Sequence, residues 1–186
     1  MRSPYNFIVT PLNNRRYDNI KDIGETEFIT SVSEEDYESS NRLAKVIALP
    51  LQYEGPVDVG DILLVHHNVF KFYYDMKGKQ KSGRSYLKDN LFLVDNEQFF
   101  LYKRNEKWNA HGKYCFIQPI KAKKSFILKR GEEPLMGIVK YINQELLDLG
   151  VKEGDEISFQ PDSEYPFTVD NEKVYRMFTN NITMII

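Results

Sequence analysis

The chain has 186 residues, of which 41% are hydrophobic and 28% are charged, and its formal net charge is −2. This composition suits one or two soluble globular domains and gives no overall attraction for nucleic acid or an anionic membrane. With one cysteine, Cys115, the chain has no internal disulfide, and it contains no apolar run long enough to span a bilayer. The N-terminus also lacks the apolar stretch of a signal peptide, so we expect a cytoplasmic protein.

Short β-strands dominate the predicted secondary structure. The candidate segments are rich in β-branched and aromatic residues and are separated by Gly, Asn, Asp or Pro. In chain order they are residues 5–12, 43–49, 61–73, 91–102, 114–120, 125–129 and 182–186. The best helical window, residues 139–149, allows two or three turns before Gly150 ends it. The chain is therefore predicted to be all-β.

Three short patterns occur twice in the same order, which indicates an internal repeat. The pairs are YNFIVTPL (5–12) with YCFIQPI (114–120), VDVGDI (57–62) with VKEGDE (151–156), and VDNE at 94–97 and again at 169–172. We interpret Gly-Asp as a turn in which glycine takes positive φ, and Asp-Asn as the tip of a tight turn between strands. The repeat predicts two versions of one β unit, residues 1–108 and residues 109–186.

A longer pattern covers the second unit. Its positions are Val151, Gly154, Asp155, Val169, Asp170, Glu172, Tyr175 and residues 182–186. FIVTPLNNRR (7–16) and FIQPIKAKKSFILKR (116–130) each place a proline just before a polar turn. These features resemble the GroES family, the chaperonin-10 co-chaperonins, in their Gly-Asp step, final apolar strand and opening strand. The resemblance implies two tandem GroES-like small β-barrels, with long loops in the first.

The first insertion, residues 21–42, is acidic and serine-rich, with Phe28, Ile29 and Val32 as a small apolar group. Such a segment cannot bury enough apolar surface to order itself. At this point the GroES family has a mobile loop whose apolar tripeptide docks on a GroEL-like chaperonin ring. Phe28-Ile29-Thr30, with Val32 close behind, resembles that tripeptide, which implies that these residues bind the ring. The alternative is an ordinary solvated loop whose apolar residues fold back.

Binding through one such loop would be weak. Burying three apolar side chains contributes about 4–9 kcal/mol, whereas ordering six residues costs about 6–12 kcal/mol. Several loops on one symmetric assembly would bind through effective concentration, and the GroES family forms a sevenfold ring by pairing terminal strands. The resemblance therefore implies a homo-oligomeric ring. Candidate edge residues are Phe7, Ile8, Val9, Ile182, Met184 and Ile185.

The second unit has no comparable loop in the sequence prediction, because residues 130–134 are assigned as the whole connection between its first strands. Only the first unit is then expected to dock on a chaperonin.

A second insertion in the first unit, residues 75–90, is predicted to be a basic hairpin. It contains Lys77, Lys79, Lys81, Arg84 and Lys88 and follows Phe70, Phe72, Tyr73 and Tyr74. Basic loops beside aromatic residues can bind single-stranded nucleic acid through phosphate contacts and base stacking. We favour a solvated hairpin tip whose aromatic residues lie in the core or on a partner, so nucleic acid is not an expected partner.

Enzymatic chemistry is not expected. His66 and His67 are adjacent, and a strand would point them to opposite faces, where they could not easily share a metal. Cys115 falls on a predicted strand, where a buried thiol is the commoner outcome, and His111 lies between the units. The sequence shows no nucleophile elbow, phosphate loop or zinc spacing. We expect no catalytic residues, no metal and no cofactor.

The leading hypothesis is a co-chaperonin that caps a chaperonin ring and assists protein folding. The first alternative is a structural or assembly β-barrel, such as a virion component, that does not bind a chaperonin. The second is a single-stranded nucleic-acid-binding barrel.

Overall fold

The computed structural model describes residues 1–17, 20–23, 26–29, 41–122 and 131–186, and for 20–23 and 26–29 it describes the backbone alone. Within these residues the chain is nearly all β, as predicted, with one short α-helix. It divides into two compact units, Met1–Lys107 and Trp108–Ile186. The division falls one residue before the boundary predicted from the sequence repeat.

The first unit is built on a six-stranded antiparallel sheet. The strands described in this unit, including those outside the main sheet, are β1 (Phe7–Pro11), β2 (Ile20–Ile23), β3 (Thr26–Ile29), β4 (Leu43–Ala48), β5 (Ile62–Val65), β6 (Phe72–Tyr74), β7 (Gln80–Ser82), β8 (Tyr86–Lys88), β9 (Leu91–Val94) and β10 (Phe99–Arg104). The sheet order within the unit is β10-β5-β4-β1-β9-β8, and β2–β3 and β6–β7 form separate two-stranded hairpins. A short 3-10 turn, Leu12–Asn14, follows β1.

The second unit also contains a six-stranded antiparallel sheet. Its elements are β11 (Lys107–Ala110), which begins at the last residue of the first unit, β12 (Tyr114–Lys121), β13 (Glu132–Tyr141), α1 (Gln144–Asp148), β14 (Glu156–Phe159), β15 (Tyr165–Val169), β16 (Glu172–Phe178) and β17 (Ile182–Ile185). The sheet order is β17-β14-β13-β12-β16-β15. A 3-10 turn, Thr179–Asn181, connects β16 to β17.

The two sheets share one topology. When the six sheet strands of each unit are numbered in chain order, both sheets have the spatial order 6-3-2-1-5-4. Both also have a bulge where the first strand pairs with the second. In β1, Ile8 pairs with Ala48 and Val9 with Val46, so the register shifts between them. In β12, the same shift separates Phe116, opposite Tyr141, from Ile117, opposite Val139.

Closed barrels, which the sequence predicted, are not found among the described residues. In the first unit the end strands β10 and β8 do not pair with each other, and β17 and β15 do not pair in the second. Each unit has its own core, formed by apolar side chains of its sheet strands and of the segments that connect them. The first core contains Phe7, Val9, Ala44, Val46, Val57, Leu63, Val65, Val69, Phe70, Phe92, Val94 and Phe99. The second contains Cys115, Ile117, Val139, Ile142, Leu146, Val151, Ile157, Phe159 and Met177.

The Gly-Asp turns occupy equivalent places and make the same hydrogen bonds. Gly60 has φ +96° and Gly154 has φ +95°, a conformation that glycine adopts without a steric penalty. The Gly60 amide donates to the Val46 carbonyl at 2.9 Å, and the Gly154 amide donates to the Val139 carbonyl at 2.8 Å. Each aspartate carboxylate accepts from the amide three residues earlier, at 2.8 Å in both units. Here the sequence repeat identified a real structural equivalence.

The two VDNE stretches, by contrast, lie at different turns. Asp170 and Asn171 connect β15 to β16 with φ +47° and +64°. The topological counterpart in the first unit is the β8–β9 turn, where Asp89 and Asn90 have φ +46° and +60°. The other VDNE, residues 94–97, begins at the last residue of β9 and continues into the turn that leads to β10. Interpreting the tetrapeptides as one repeated turn was therefore wrong. The repeated two-residue turn needs residues that tolerate positive φ, and an Asp-Asn pair meets that need whether or not it belongs to a VDNE sequence.

Several predicted elements have different bounds in the structure. The predicted strand 61–73 separates into β5 and β6, and 91–102 is the β9–β10 hairpin rather than one strand. The predicted helix is only α1, whose first turn is capped by the Asn143 side chain accepting from the Leu146 amide at 3.0 Å. Gly150, with φ +87°, follows its end as expected. The predicted strand at 125–129 lies outside the described residues.

Candidate functional site

The predicted chaperonin-binding residues fall on and after a hairpin. Phe28 and Ile29 lie on β3, opposite Lys21 and Ile20 of β2. Thr30 and Val32 lie outside the described residues. The sequence composition suggested that residues 21–42 would not order themselves, but the backbone of 20–23 and 26–29 forms a paired antiparallel hairpin.

The base of this insertion is closed by Asn41, which is only 3% exposed. The Asn41 side-chain amide donates to the carbonyl oxygens of Leu12 at 3.1 Å and Arg15 at 2.6 Å. Its side-chain oxygen accepts from the Leu43 amide at 2.8 Å, and its backbone amide donates to the Arg16 carbonyl at 3.1 Å. One buried side chain therefore joins the segment that leaves β1 to the segment that enters β4. Sequence reasoning missed this residue, because nothing local distinguishes it from a solvated asparagine.

Arg16 and Tyr17 connect the same base to the second insertion. The Arg16 guanidinium donates to the Ser82 hydroxyl at 3.2 Å and lies over the rings of Tyr86 and Phe92, at 5.1 and 4.9 Å from their centroids. The Tyr17 ring packs edge-on against Phe72, with centroids 5.1 Å apart, and its hydroxyl accepts from the Phe72 amide at 3.4 Å. The two insertions of the first unit thus share one supporting junction.

The basic hairpin is formed by β6 and β7, with Phe72 opposite Ser82, Tyr73 opposite Lys81 and Tyr74 opposite Gln80. Asp75 closes its tip, since its carboxylate accepts from the backbone amides of Lys77 at 2.9 Å and Lys79 at 3.0 Å. These bonds lower the pKa of Asp75.

The four aromatic residues before the hairpin differ in their burial. Phe70 is buried in the core and Phe72 packs against Tyr17. Tyr73 and Tyr74 are 50% and 57% exposed, and Met76 at the tip is fully exposed. The expectation was that these aromatic residues lie in the core or on a partner. Phe70 lies in the core, and Phe72 is half-buried between Tyr17 and Tyr74. Tyr73 and Tyr74 lie outside the core.

An ion cluster fixes the Gly-Asp turn of the first unit. The Arg104 guanidinium on β10 lies 2.7 Å from the carboxylate of Asp61 and 2.8 Å from that of Asp58. Asp61 is 8% exposed, so its charge is largely removed from water and depends on this partner. The role of the cluster is structural, because it ties β10 to the turn that precedes β5.

The candidate oligomer edges differ in their position. Phe7, Ile8 and Val9 cannot form an edge, because β1 is paired on both sides, with β4 and β9, and all three side chains are buried. That prediction was wrong: apolar residues on both faces indicate an interior strand as readily as an unpaired one. The other candidates lie on β17, at the end of the second unit's sheet order, where Met184 and Ile185 are 62% and 54% exposed and Ile182 is half-buried.

The adjacent histidines do not point to opposite faces, as the sequence predicted. They follow β5 rather than lying on it, and their rings are tilted against one another with centroids 4.1 Å apart. Burial, together with the nearby His66, Arg42 and Lys71, lowers the pKa of His67 to about 4. In the part of the chain that the structure describes, no three His, Cys, Asp or Glu side chains are grouped to hold a metal ion.

His67 is expected to lower the folding stability of the protein as the pH falls below neutrality. Its folded pKa of about 4 lies below the unfolded value of 6.5, so protonation favours the unfolded chain as pH falls through this interval. Its contribution is fully present above pH 6.5 and is lost by about pH 4. The difference is at most about 1 kcal/mol, because water screens a partly exposed ring. The melting temperature of wild type should fall more steeply than that of His67→Gln between pH 6.5 and 4.5; parallel curves would contradict this.

Cys115 is buried, as predicted, and burial raises the pKa of its thiol to about 12. A thiol of this kind is protonated at neutral pH and is a poor nucleophile.

The second unit has an open cleft of about 710 Å³ beside β13. Leu135, Met136 and Phe159 contribute apolar walls, and Glu133 and Glu164 line it with carboxylates. Glu132, also in the lining, accepts from Lys173 at 2.7 Å and from the Tyr175 hydroxyl. Burial raises the pKa of Glu132, but the bonds from Lys173 and Tyr175 outweigh burial and keep that pKa below its usual value. The carboxylate is thus held as one half of an ion pair.

Among the described residues, no helix combines the length and the apolar character that a bilayer crossing would require. No protein-family model matches the chain, and a search of curated proteins finds no significantly similar sequence.

Proposed function

We propose that this protein is a co-chaperonin that caps a GroEL-like chaperonin ring through the insertion between β1 and β4, and thereby assists protein folding. The observation that carries the proposal is the closed base of the insertion. Asn41 joins both ends of the segment, and Phe28 and Ile29 lie beyond that base. A fixed base limits where the apolar residues can go, which reduces the entropy lost when they bind a partner.

The shared topology supports extending the proposal to the second unit. The connection from β12 to β13 occupies the same place in the strand order as the insertion between β1 and β4. Because β12 ends at Lys121 and β13 begins at Glu132, this connection is longer than the residues 130–134 that the sequence suggested. Its sequence includes the apolar triplet Phe126-Ile127-Leu128. We propose that both units contact the chaperonin.

Self-association would supply the number of contacts that weak loops need. The exposed Met184 and Ile185 lie on the edge strand β17, which suits pairing with another copy of the chain. A homo-oligomeric ring would present many loops at once and raise their effective concentration.

The test is association with the cognate GroEL-like ring, measured by analytical ultracentrifugation with ATP and with ADP. Wild type should co-sediment with the ring. Phe28→Ser/Ile29→Ser should weaken association more than about 100-fold, because burying each of these side chains contributes about 1.5–3 kcal/mol. Phe126→Ser/Leu128→Ser should weaken association by a similar factor if the second unit docks.

The matched control is Val59→Ser/Leu149→Ser, which also removes two apolar side chains. They are 61% and 71% exposed and lie outside both proposed docking segments. This variant should bind as wild type does. The proposal fails if wild type does not bind the ring in any nucleotide state. A native mass of several copies without ring binding would instead favour the structural or assembly module.

A further inference from the structure

The β6–β7 hairpin concentrates positive charge in a chain that is acidic overall. Residues 71–88 contain six basic side chains and one acidic side chain, whereas the whole chain carries a net charge of −2. Lys77, Lys79, Lys81, Arg84 and Lys88 are all exposed. The one acid, Asp75, lies 3.3 Å from Lys81 and offsets only part of this charge. The surface therefore suits an anionic partner.

The strand register places one tyrosine among these cations. Tyr73 is directly opposite Lys81, so both side chains stand on the same face of the two-stranded ribbon. Lys79, two residues before Lys81, belongs to that face as well. The opposite face contains Phe72 and Ser82, which contact Tyr17 and Arg16. The face with Tyr73 is therefore directed away from the junction that supports the hairpin.

The exposure of Tyr73 is not explained by packing. A tyrosine that stabilised the unit would bury most of its ring, as Tyr17 does at 9% exposure, yet Tyr73 is 50% exposed. Exposed aromatic rings flanked by lysines are the arrangement with which proteins stack unpaired bases and contact the neighbouring phosphates. In a duplex the base faces are already stacked on one another, so these rings favour a single strand.

The hairpin is also held in position. The Gly83 amide donates to the Lys71 carbonyl at 3.0 Å, and a Cβ on Gly83 would lie only 3.0 Å from that oxygen. This bond and the contacts of Arg16 and Tyr17 fix the ribbon at its base, which reduces the ordering that binding must otherwise cost.

We propose that the outward face of the β6–β7 hairpin, formed by Tyr73, Lys79 and Lys81, binds single-stranded nucleic acid without sequence preference. This binding is independent of chaperonin docking, since it uses a different segment of the first unit.

The test is fluorescence anisotropy with labelled 20-nucleotide single-stranded DNA and RNA and a duplex of the same length. Contacts to about three phosphates give a slope near −2 in log affinity against log salt, so affinity should fall roughly 20-fold between 50 and 200 mM salt. Tyr73→Ala should weaken binding about tenfold and leave the slope unchanged. Lys79→Gln/Lys81→Gln should reduce the magnitude of the slope by about 1.4.

The matched control is Tyr5→Ala/Lys45→Gln, which removes an exposed tyrosine and an exposed lysine of the same unit outside the hairpin. It should bind as wild type does, and melting curves should show that all variants are folded. Tighter binding to the duplex, no binding of single strands at 50 mM salt, or equal losses in the control would overturn the proposal. Binding to phosphatidylserine vesicles without binding to single strands would also overturn it and assign the surface to a membrane.

Discussion

Replacing Gly137 by alanine is expected to destabilise the second unit by at least about 3 kcal/mol, at the upper end of overpacking effects. Gly137 lies on β13 between two strands, opposite Pro119 of β12 and Ile157 of β14. A Cβ there would lie 2.3 Å from Cγ2 of Ile117 and 2.9 Å from the carbonyl oxygen of Gln118. Ile117 is completely buried, so its side chain has no space into which it could move, and the carbonyl belongs to the backbone of the sheet.

Tryptophan fluorescence during urea unfolding measures this change directly. The chain has one tryptophan, Trp108, which is 4% exposed in the second unit and donates to the Asp170 carboxylate at 2.9 Å. A loss of 3 kcal/mol should lower the urea midpoint by roughly 2 M. Gly131→Ala is the matched control, because its added Cβ would meet nothing within 4 Å. A midpoint within 0.3 M of wild type, roughly 0.5 kcal/mol, would show that β12 and β13 can separate to admit the methyl group.

Replacing Asn41 by alanine is expected to open the base of the first insertion, at a cost of about 2–4 kcal/mol. The substitution leaves the carbonyls of Leu12 and Arg15 without their donor and the Leu43 amide without its acceptor. Asn41→Asp should be at least as harmful, because it keeps the acceptor for Leu43 but sets a carboxylate oxygen against the two carbonyl oxygens.

Amide hydrogen exchange shows which part of the chain the Asn41→Ala substitution destabilises. Amides in residues 41–48, and that of Leu43 above all, should exchange about 30-fold faster or more in Asn41→Ala, which corresponds to a loss of about 2 kcal/mol. Asn180→Ala removes an exposed asparagine of the second unit and should leave these rates unchanged. Unchanged exchange at Leu43 in Asn41→Ala would show that water replaces the side chain. If the chain caps a chaperonin, Asn41→Ala should also weaken ring binding without altering Phe28 or Ile29.

The junction at Arg16 and Tyr17 contacts both insertions of the first unit. It supports the β6–β7 hairpin from the same point at which Asn41 closes the first insertion. A substitution at Asn41 can therefore disturb both insertions, whereas the exposed residues Tyr73 and Lys79 affect only the hairpin. Comparing the Asn41 variants with the Tyr73 and Lys79 variants therefore distinguishes two causes of lost binding. One is displacement of an insertion, and the other is removal of a side chain that contacts the partner.

Features encoded in short segments were predictable from the sequence. The all-β character followed from β-branched and aromatic segments, and the Gly-Asp turns followed from a glycine placed where φ must be positive. The end of α1 near Gly150 depends on the same local property. These features need only the residue and its neighbours, so the sequence alone contained the required information.

Features that depend on distant partners were not predictable. β13 is the longest strand described, yet its Pro134 and Gly137 are poor strand formers, and Gly137 is required only because Ile117 approaches it closely. The buried hydrogen bonds of Asn41 depend on residues up to 29 positions away. The contact between the tilted rings of His66 and His67 arises because β5 ends at Val65, a boundary that its apolar sequence did not mark.

The sequence by itself determined that the chain repeats a β unit and where the Gly-Asp turns lie, because turn geometry is a local property. Only the tertiary structure decided that Asp89-Asn90 and Asp170-Asn171 are the equivalent turns, that β1 is an interior strand, and that Tyr73 faces away from the core. Those outcomes depend on strand pairing between residues far apart in the chain, and similar short sequences can satisfy more than one such pairing.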